Sequence, residues 1–222
     1  MSEDRLILTL AILGGTGQSG PALASRWAKA GYQVLIGSRQ AEKAEGVAAE
    51  LNQELGLETI RGLENANAAR QADIAVLTVE YTAHDAALES LKDSLQGKIL
   101  VDTTARVDFR DAQPPGPPSA ARTAQEILGD GVRVVAGFQT APAFVLKKNP
   151  DQRVDVDVLI CADDEAAAEE VIKLAEGAGM NGYYAGGLDN AVVVEGLTAV
   201  IIRMNKHYKS LRGSIKVVGL KK

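Results

Sequence analysis

Residues 6–21 read LILTLAILGGTGQSGP. The apolar run Leu6–Leu13 feeds into Gly14-Gly15-Thr16-Gly17-Gln18-Ser19-Gly20, and Pro21 opens an Ala-rich amphipathic segment. Gly15, Gly17 and Gly20 form G-x-G-x-x-G between an expected strand and an expected helix. In that context the first glycine permits a tight turn, the second lets backbone approach a pyrophosphate, and the third lets helix pack on strand. The helix N-terminus then offers unpaired N–H groups and the positive end of a dipole to phosphate. Pro21 suits the first turn, where no backbone donor is missed. Two competing motifs fail on residue identity. Gly15 and Gly20 have P-loop spacing, but Pro21-Ala22 stands where Lys-Ser/Thr is required. Gly17-Gln18-Ser19 begins like a nucleophile elbow, but Pro21 replaces its last glycine.

Outward from that loop, apolar runs alternate with amphipathic segments. Helix is expected over Gln18–Ala30, Ala41–Leu55, Thr82–Leu95, Ser119–Leu128, Asp164–Ala178 and Asp189–Leu211. Strand is expected over Gln33–Gly37, Glu58–Arg61, Asp73–Val79, Lys98–Thr103, Val132–Phe138, Val154–Ala162 and Gly182–Ala185. This alternation predicts an α/β, Rossmann-type, doubly wound and mostly parallel sheet, with a small C-terminal α/β part. Continuous apolar runs suit strands covered on both faces. Polar Asn149–Arg153 with Pro150 suggests a boundary, giving a nucleotide-binding domain over 1–150 and a smaller part over 151–222. The proline-rich stretch 113–118 lies in a loop, a candidate lid.

The 222 residues carry a net charge of -5, so composition gives a nucleic-acid role no support. One cysteine, Cys161, excludes an internal disulfide framework and, with two histidines, argues against structural zinc. No run reaches the roughly 20 apolar residues of a membrane span, and Glu3-Asp4-Arg5 is a poor secretory start. The expectation is a soluble cytoplasmic protein. Cys161 and Trp27 read as core residues, and His84 and His207 as solvated surface residues.

The second expected strand ends Gly37-Ser38-Arg39, where an NAD site would place an acid; the first acid is Glu42. Arg39, Ser38 and Lys43 together match a 2′-phosphate, favouring NADP over NAD. Ala191–Ile202 is apolar around most of its circumference apart from Glu195, which suggests a homodimer interface. Tyr81, past a strand end, is a candidate ring contact.

These motifs resemble the coenzyme F420-dependent NADP oxidoreductase family. The likeness rests on Leu13-Gly14-Gly15-Thr16-Gly17, Gly37-Ser38-Arg39, Glu42-Lys43-Ala44, Ala72–Thr78, Thr140-Ala141-Pro142-Ala143 and Val194-Glu195-Gly196-Leu197-Thr198. It implies NADP(H) and the deazaflavin coenzyme F420 as co-substrates, with hydride passing between nicotinamide C4 and deazaflavin C5. No catalytic acid, base or metal is then needed, only two rings held face to face. By that resemblance Thr16, Gly17, Gln18 and Ser19 hold the pyrophosphate, and Ser38, Arg39 and Lys43 the 2′-phosphate. Val79 and Ala143 lie near the nicotinamide, and Gly137–Pro142, including Gln139, where the rings meet. The chain departs from the family at Gln139, His in some members, at Asp102-Thr103-Thr104-Ala105, and over Arg106–Pro118. Seven basic residues and no acid fall between Arg203 and Lys222; Arg203, Lys206 and Lys209 are candidates to attract the anionic phosphodiester and glutamyl tail of F420. Two other readings stay open: an NADP-linked reductase of a small carbonyl or imine, with Tyr81 or Asp102 as proton donor, and a non-enzymatic NADP(H) sensor.

Overall fold

A computed structural model describes residues 7–220; Glu3-Asp4-Arg5 and Lys221-Lys222 lie outside the described residues. The strands are β1 (Thr9–Leu13), β2 (Gln33–Ser38), β3 (Ile60–Glu64), β4 (Ile74–Leu77), β5 (Ile99–Asp102), β6 (Arg133–Ala136), β7 (Asp157–Ala162) and β8 (Asn181–Tyr184). They form one eight-stranded sheet in the order β3-β2-β1-β4-β5-β6-β7-β8. All neighbours are parallel except β6 and β7, which pair antiparallel through Val135↔Ala162 and Ala136↔Cys161. The C-terminal part expected over 151–222 thus supplies two strands to the same sheet.

The helices are α1 (Ser19–Lys29), α2 (Ala41–Leu55), α3 (Asn65–Gln71), α4 (His84–Leu95), α5 (Ala120–Leu128), α6 (Ala143–Leu146), α7 (Glu165–Gly177) and α8 (Ala191–His207). Alternate side chains of β1 sort the core into two layers. Leu10 and Ile12 join residues of α1, α2 and α7 on one face. Ala11 and Leu13 join α3, α4, α5 and the start of α8 on the other. β1 is flanked by β2 on one side and β4 on the other, so the strand order reverses there. In such sheets ligands bind in the crevice beyond the strands' C-terminal ends at that reversal.

Expected and observed elements differ in instructive places. Helix α3 was not expected: Asn65-Ala66-Asn67 is a weak helix former, but the Glu64 carboxylate accepts from Ala66 N and Asn67 N and starts the turn. α8 ends at His207 rather than Leu211. Beyond it, Asn205 clasps Gly213 through both its amide atoms, and the chain folds back so that Ile215 O accepts from Asp157 N. Trp27 and Cys161 are core residues as expected. Trp27 packs edge-on against Phe138 at 5.7 Å. His84 corrects its surface reading: it is fully buried at the start of α4.

One charge inside the core escaped the sequence reading. Arg26 on α1 is 1% exposed and forms no ion pair with a carboxylate among the described residues. Its guanidinium donates instead to four main-chain carbonyls, those of Leu146, Lys148, Gln152 and Ala178, at 2.8–3.1 Å. It thereby ties α1 to the end of α6, the following loop and the end of α7. Burial lowers its pKa, opposed by the nearby charge of Asp151.

Candidate functional site

The chain leaves β1 at Gly14, where φ is +69° and a Cβ would lie 2.5 Å from Val79 Cγ1. The expectation puts the tight turn at Gly15, but the left-handed residue is Gly14. A Cβ on Gly20 would lie 2.5 Å from Gly15 O, so the third motif glycine permits the close loop–helix approach expected of it. Gly17 faces open space instead. The first turn of α1 has no acidic residue, and Gln18 makes no capping hydrogen bond. Its N–H groups stay available to an anion.

A cavity of about 680 Å³ opens beside this helix end. Gly17, Gln18, Ser19, Val79, Tyr81, Gln139 and Ala143 line it, so the structure gathers seven of the sequence candidates. Gly15, Thr16, Gly20, Ser38, Arg39 and Lys43 are not on its wall. Gly15 and Gly20 are buried in the turn, and Ser38 is buried at the end of β2, its Oγ accepting from Gln40 N. Arg39 and Lys43 are exposed beyond that strand and form no ion pair among the described residues. The far wall comes from Thr103–Ala105, Phe138–Phe144, Leu146 and the α8 residues Thr198 and Ile201. Phe109, from the proline-rich loop, is 70% exposed and stands at the mouth.

The far wall is held by buried polar groups. Asp102 and His84 are both 0% exposed, with His84 Nε2 2.8 Å from Asp102 Oδ2 and Nδ1 2.8 Å from Asp85 Oδ1. Burial works against the imidazolium, but Asp102 and Asp85 outweigh it and raise the His84 pKa to about 9. Glu195 on α8, also 0% exposed, accepts from Ala120 N at 2.7 Å and Arg106 N at 3.1 Å. It joins α8 to the N-terminus of α5 and to the start of the proline-rich loop. Burial raises its pKa, opposed by those two N–H groups and the Arg106 charge.

Arg203 pairs with Asp111 and donates to Ala112 O, anchoring that loop, and neither Arg203, Lys206 nor Lys209 lines a cavity described here. The basic residue on the main cavity's wall is Lys147. A second cavity of about 320 Å³, sharing Phe144 with the first, is lined by Lys148, Arg153 and Arg212 and by no acid. Lys148 and Arg212 both lie against the Phe144 ring.

A relative from Methanocaldococcus jannaschii, an F420-dependent NADP reductase, is 36% identical over 96% of this chain and 99% of its own. The chain belongs to the F420-dependent NADP reductase family. Another relative of that name, from Methanothermobacter thermautotrophicus, is 33% identical over 97% of both chains. The family model described as NADP oxidoreductase coenzyme F420-dependent matches residues 9–106. A crystal structure of a candidate F420-dependent NADP reductase from Arthrobacter sp. fb24 superposes with a TM-score of 0.81. It is 26% identical and covers 96% of this chain and 100% of its own. The matched segment ends where the proline-rich loop begins.

Sequence reasoning missed Asn65, whose Oδ1 accepts from Gly14 N at 3.0 Å and braces the glycine loop. It gave no role to Thr104 and Phe109, which lie on the cavity wall in the segments that depart from the family, and it missed His84 behind that wall. Glu195 carried a usable signal, an acid inside an otherwise apolar helix, and so did Arg26, a cation three residues after Leu23 on the buried face of α1.

Proposed function

We propose that the chain transfers hydride between NADP(H) and the deazaflavin coenzyme F420. The observation that carries the reading is one continuous cavity running from the uncapped N-terminus of α1, past the end of β4, to α8. It is of a size that takes a nicotinamide with a second ring against it. The two co-substrates supply the hydride donor and acceptor. The chain's contribution is to hold and orient them and to keep water away.

Thr16, Gly17, Gln18 and Ser19 offer main-chain and hydroxyl donors to the pyrophosphate, with Gly15 and Gly20 shaping the turn beneath. Arg39 and Lys43, which form no ion pair among the described residues, and the Ser38 hydroxyl hold the 2′-phosphate. Val79 and Ala143 border the nicotinamide, and Tyr81 and Gln139 contact a ring. No side chain is assigned a proton-transfer role. Asp102, a proton donor in the carbonyl or imine reading, is sealed from the cavity with both carboxylate oxygens engaged.

The N-terminal 150 residues carry the nucleotide, and the C-terminal part contributes α8 to the ring side. The anionic tail of F420 lies along Lys148, Arg153 and Arg212 rather than along Arg203, Lys206 and Lys209. Val193, Val200 and Met204 form an exposed apolar stripe on α8 that suits a homodimer. No helix among the described residues is long and apolar enough to cross a membrane; a cytoplasmic setting accords with the single buried, reduced Cys161.

The test mixes purified protein, NADPH and oxidised coenzyme F420 and follows the deazaflavin's visible absorbance. Loss of that absorbance is expected, with the KM for NADPH raised about tenfold to a hundredfold in Arg39→Ala through loss of charge-assisted hydrogen bonds. NADPH binding without bleaching of the deazaflavin would overturn the reading.

A further inference from the structure

Three contacts converge on Asp102 at the end of β5. Its Oδ2 meets His84 Nε2, its Oδ1 accepts from Thr104 N at 2.9 Å, and its main-chain oxygen accepts from Gln139 Nε2 at 3.1 Å. Thr104 and Gln139, 3% and 9% exposed, both line the main cavity. Each keeps one buried polar atom with no protein partner, Thr104 Oγ1 and Gln139 Oε1. The other two such atoms among the described residues, Thr59 Oγ1 and Arg106 Nε, belong to residues away from that wall. An unpaired buried group costs about 1–3 kcal/mol, so two on one cavity wall call for a ligand that supplies what they lack.

The chemistry of that ligand follows from the orientation. Gln139 cannot turn its amide over without setting Oε1 against the Asp102 carbonyl oxygen, so it presents an acceptor. Thr104 has its N–H committed to Asp102 and its hydroxyl free to donate. An acceptor and a donor on one cavity wall, both tied to Asp102, match an edge that carries N–H next to C=O.

We propose that Thr104 Oγ1 and Gln139 Oε1 together read an amide edge of a ring bound in the main cavity, with Asp102 and His84 as positioning residues. Thr104 donates to the ring substituent's carbonyl, and Gln139 accepts from the N–H beside it. The inference rests on the hydride-transfer reading for its two sources of such an edge, the nicotinamide carboxamide and the pyrimidine imide of the deazaflavin. A site built to hydrogen-bond such groups rejects analogues that lack them far more strongly than an apolar pocket can.

The test compares Thr104→Val, of nearly the same shape, with Thr104→Ser. It measures the Kd of NADPH, the Kd of 2′-phospho-ADP-ribose, which lacks nicotinamide, and the KM for F420. Thr104→Val is expected to weaken one ring substrate about tenfold, the size of one lost hydrogen bond to a buried partner. Thr104→Ser should recover most of it, and 2′-phospho-ADP-ribose should bind as before. Weaker NADPH binding identifies the carboxamide edge; a raised KM for F420 with unchanged NADPH binding identifies the imide. Unchanged values for both ring substrates overturn the proposal, and so does an equal loss of 2′-phospho-ADP-ribose affinity, which would mark a general distortion. Gln139→Met gives the same comparison should Thr104→Val fold poorly.

Asp102→Asn tests positioning: combined with Thr104→Val it should add little to the loss caused by either alone. Additive losses would remove Asp102 from that role. NADPH binding is read without F420, so failure of deazaflavin reduction in the unmodified protein would overturn the function reading separately. In that case an unchanged NADPH Kd in Thr104→Val would overturn this inference too.

Discussion

The two walls of the cavity are built from different materials. The wall at the end of β1 is main chain: a left-handed Gly14, an open Gly17 and the bare first turn of α1. The wall at the ends of β5 and β6 is a set of buried polar side chains, with His84 on Asp102, Asp102 on Thr104 and Gln139, and Glu195 on Arg106 and Ala120. The first needs particular residue types at fixed short spacings. The second needs partners that meet only after folding, such as Glu195 and Arg106, 89 positions apart. A site made of backbone is therefore written locally in the sequence, and a site made of a side-chain network is not.

The largest effect is expected at the main-chain wall. Arg26→Met would strip the donor from four main-chain carbonyls that fix α1, two of the contacts buried and two part-buried, and should cost about 3–5 kcal/mol in urea unfolding. Loss of under 1 kcal/mol would mean that α1 is held by its apolar face alone.

The side-chain wall should instead answer to pH. The His84 pKa of about 9 lies above the ordinary imidazole value near 6.5, so the folded state binds the proton more tightly. The resulting stability is fully present below about pH 6.5, declines above it, and is gone once pH has risen through about 9. It amounts to at most about 3 kcal/mol. The groups facing this ring are Asp102 and Asp85, with the Tyr81 ring 6.5 Å away. Unfolding free energies at pH 6 and 9.5 should differ accordingly, and His84→Gln should flatten that difference. A variant with the same pH slope as the parent would show that another group carries it.

The second cavity, which meets the first at Phe144, offers the smallest effect. Alanine at both Lys148 and Arg212 should raise the KM for F420 about threefold at low salt, as screened surface charges do. The NADPH KM should not move, and the difference should fade in high salt. A rise that persists there would point to the Phe144 packing rather than to charge.

The same division decides how much could be read in advance. The Rossmann-type, mostly parallel sheet followed from alternating apolar runs, and α2 spans the expected Ala41–Leu55, ending at a left-handed Gly56 that is a local signal. Arg39 and Lys43 were recognisable from position after β2. His84 was not, because a histidine two residues after Thr82 in a helix-like stretch carries no mark of the acid that meets it 18 positions later. Thr104 lay in a segment that departs from the family pattern, so resemblance could not reach it either. α8 showed its charge inside an apolar surround but gave no indication of which loop Glu195 would hold.

Arg26 has a consequence for how this fold can vary. All four acceptors it uses are carbonyl oxygens, which every amino acid provides. The side chains at Leu146, Lys148, Gln152 and Ala178 can drift in evolution without disturbing the contact, provided the backbone keeps its course. Paired exchanges between Arg26 and any of those positions are then not selected. A tie between the first helix and segments more than 100 residues later would leave no covariation signal, and only an invariant arginine would betray it.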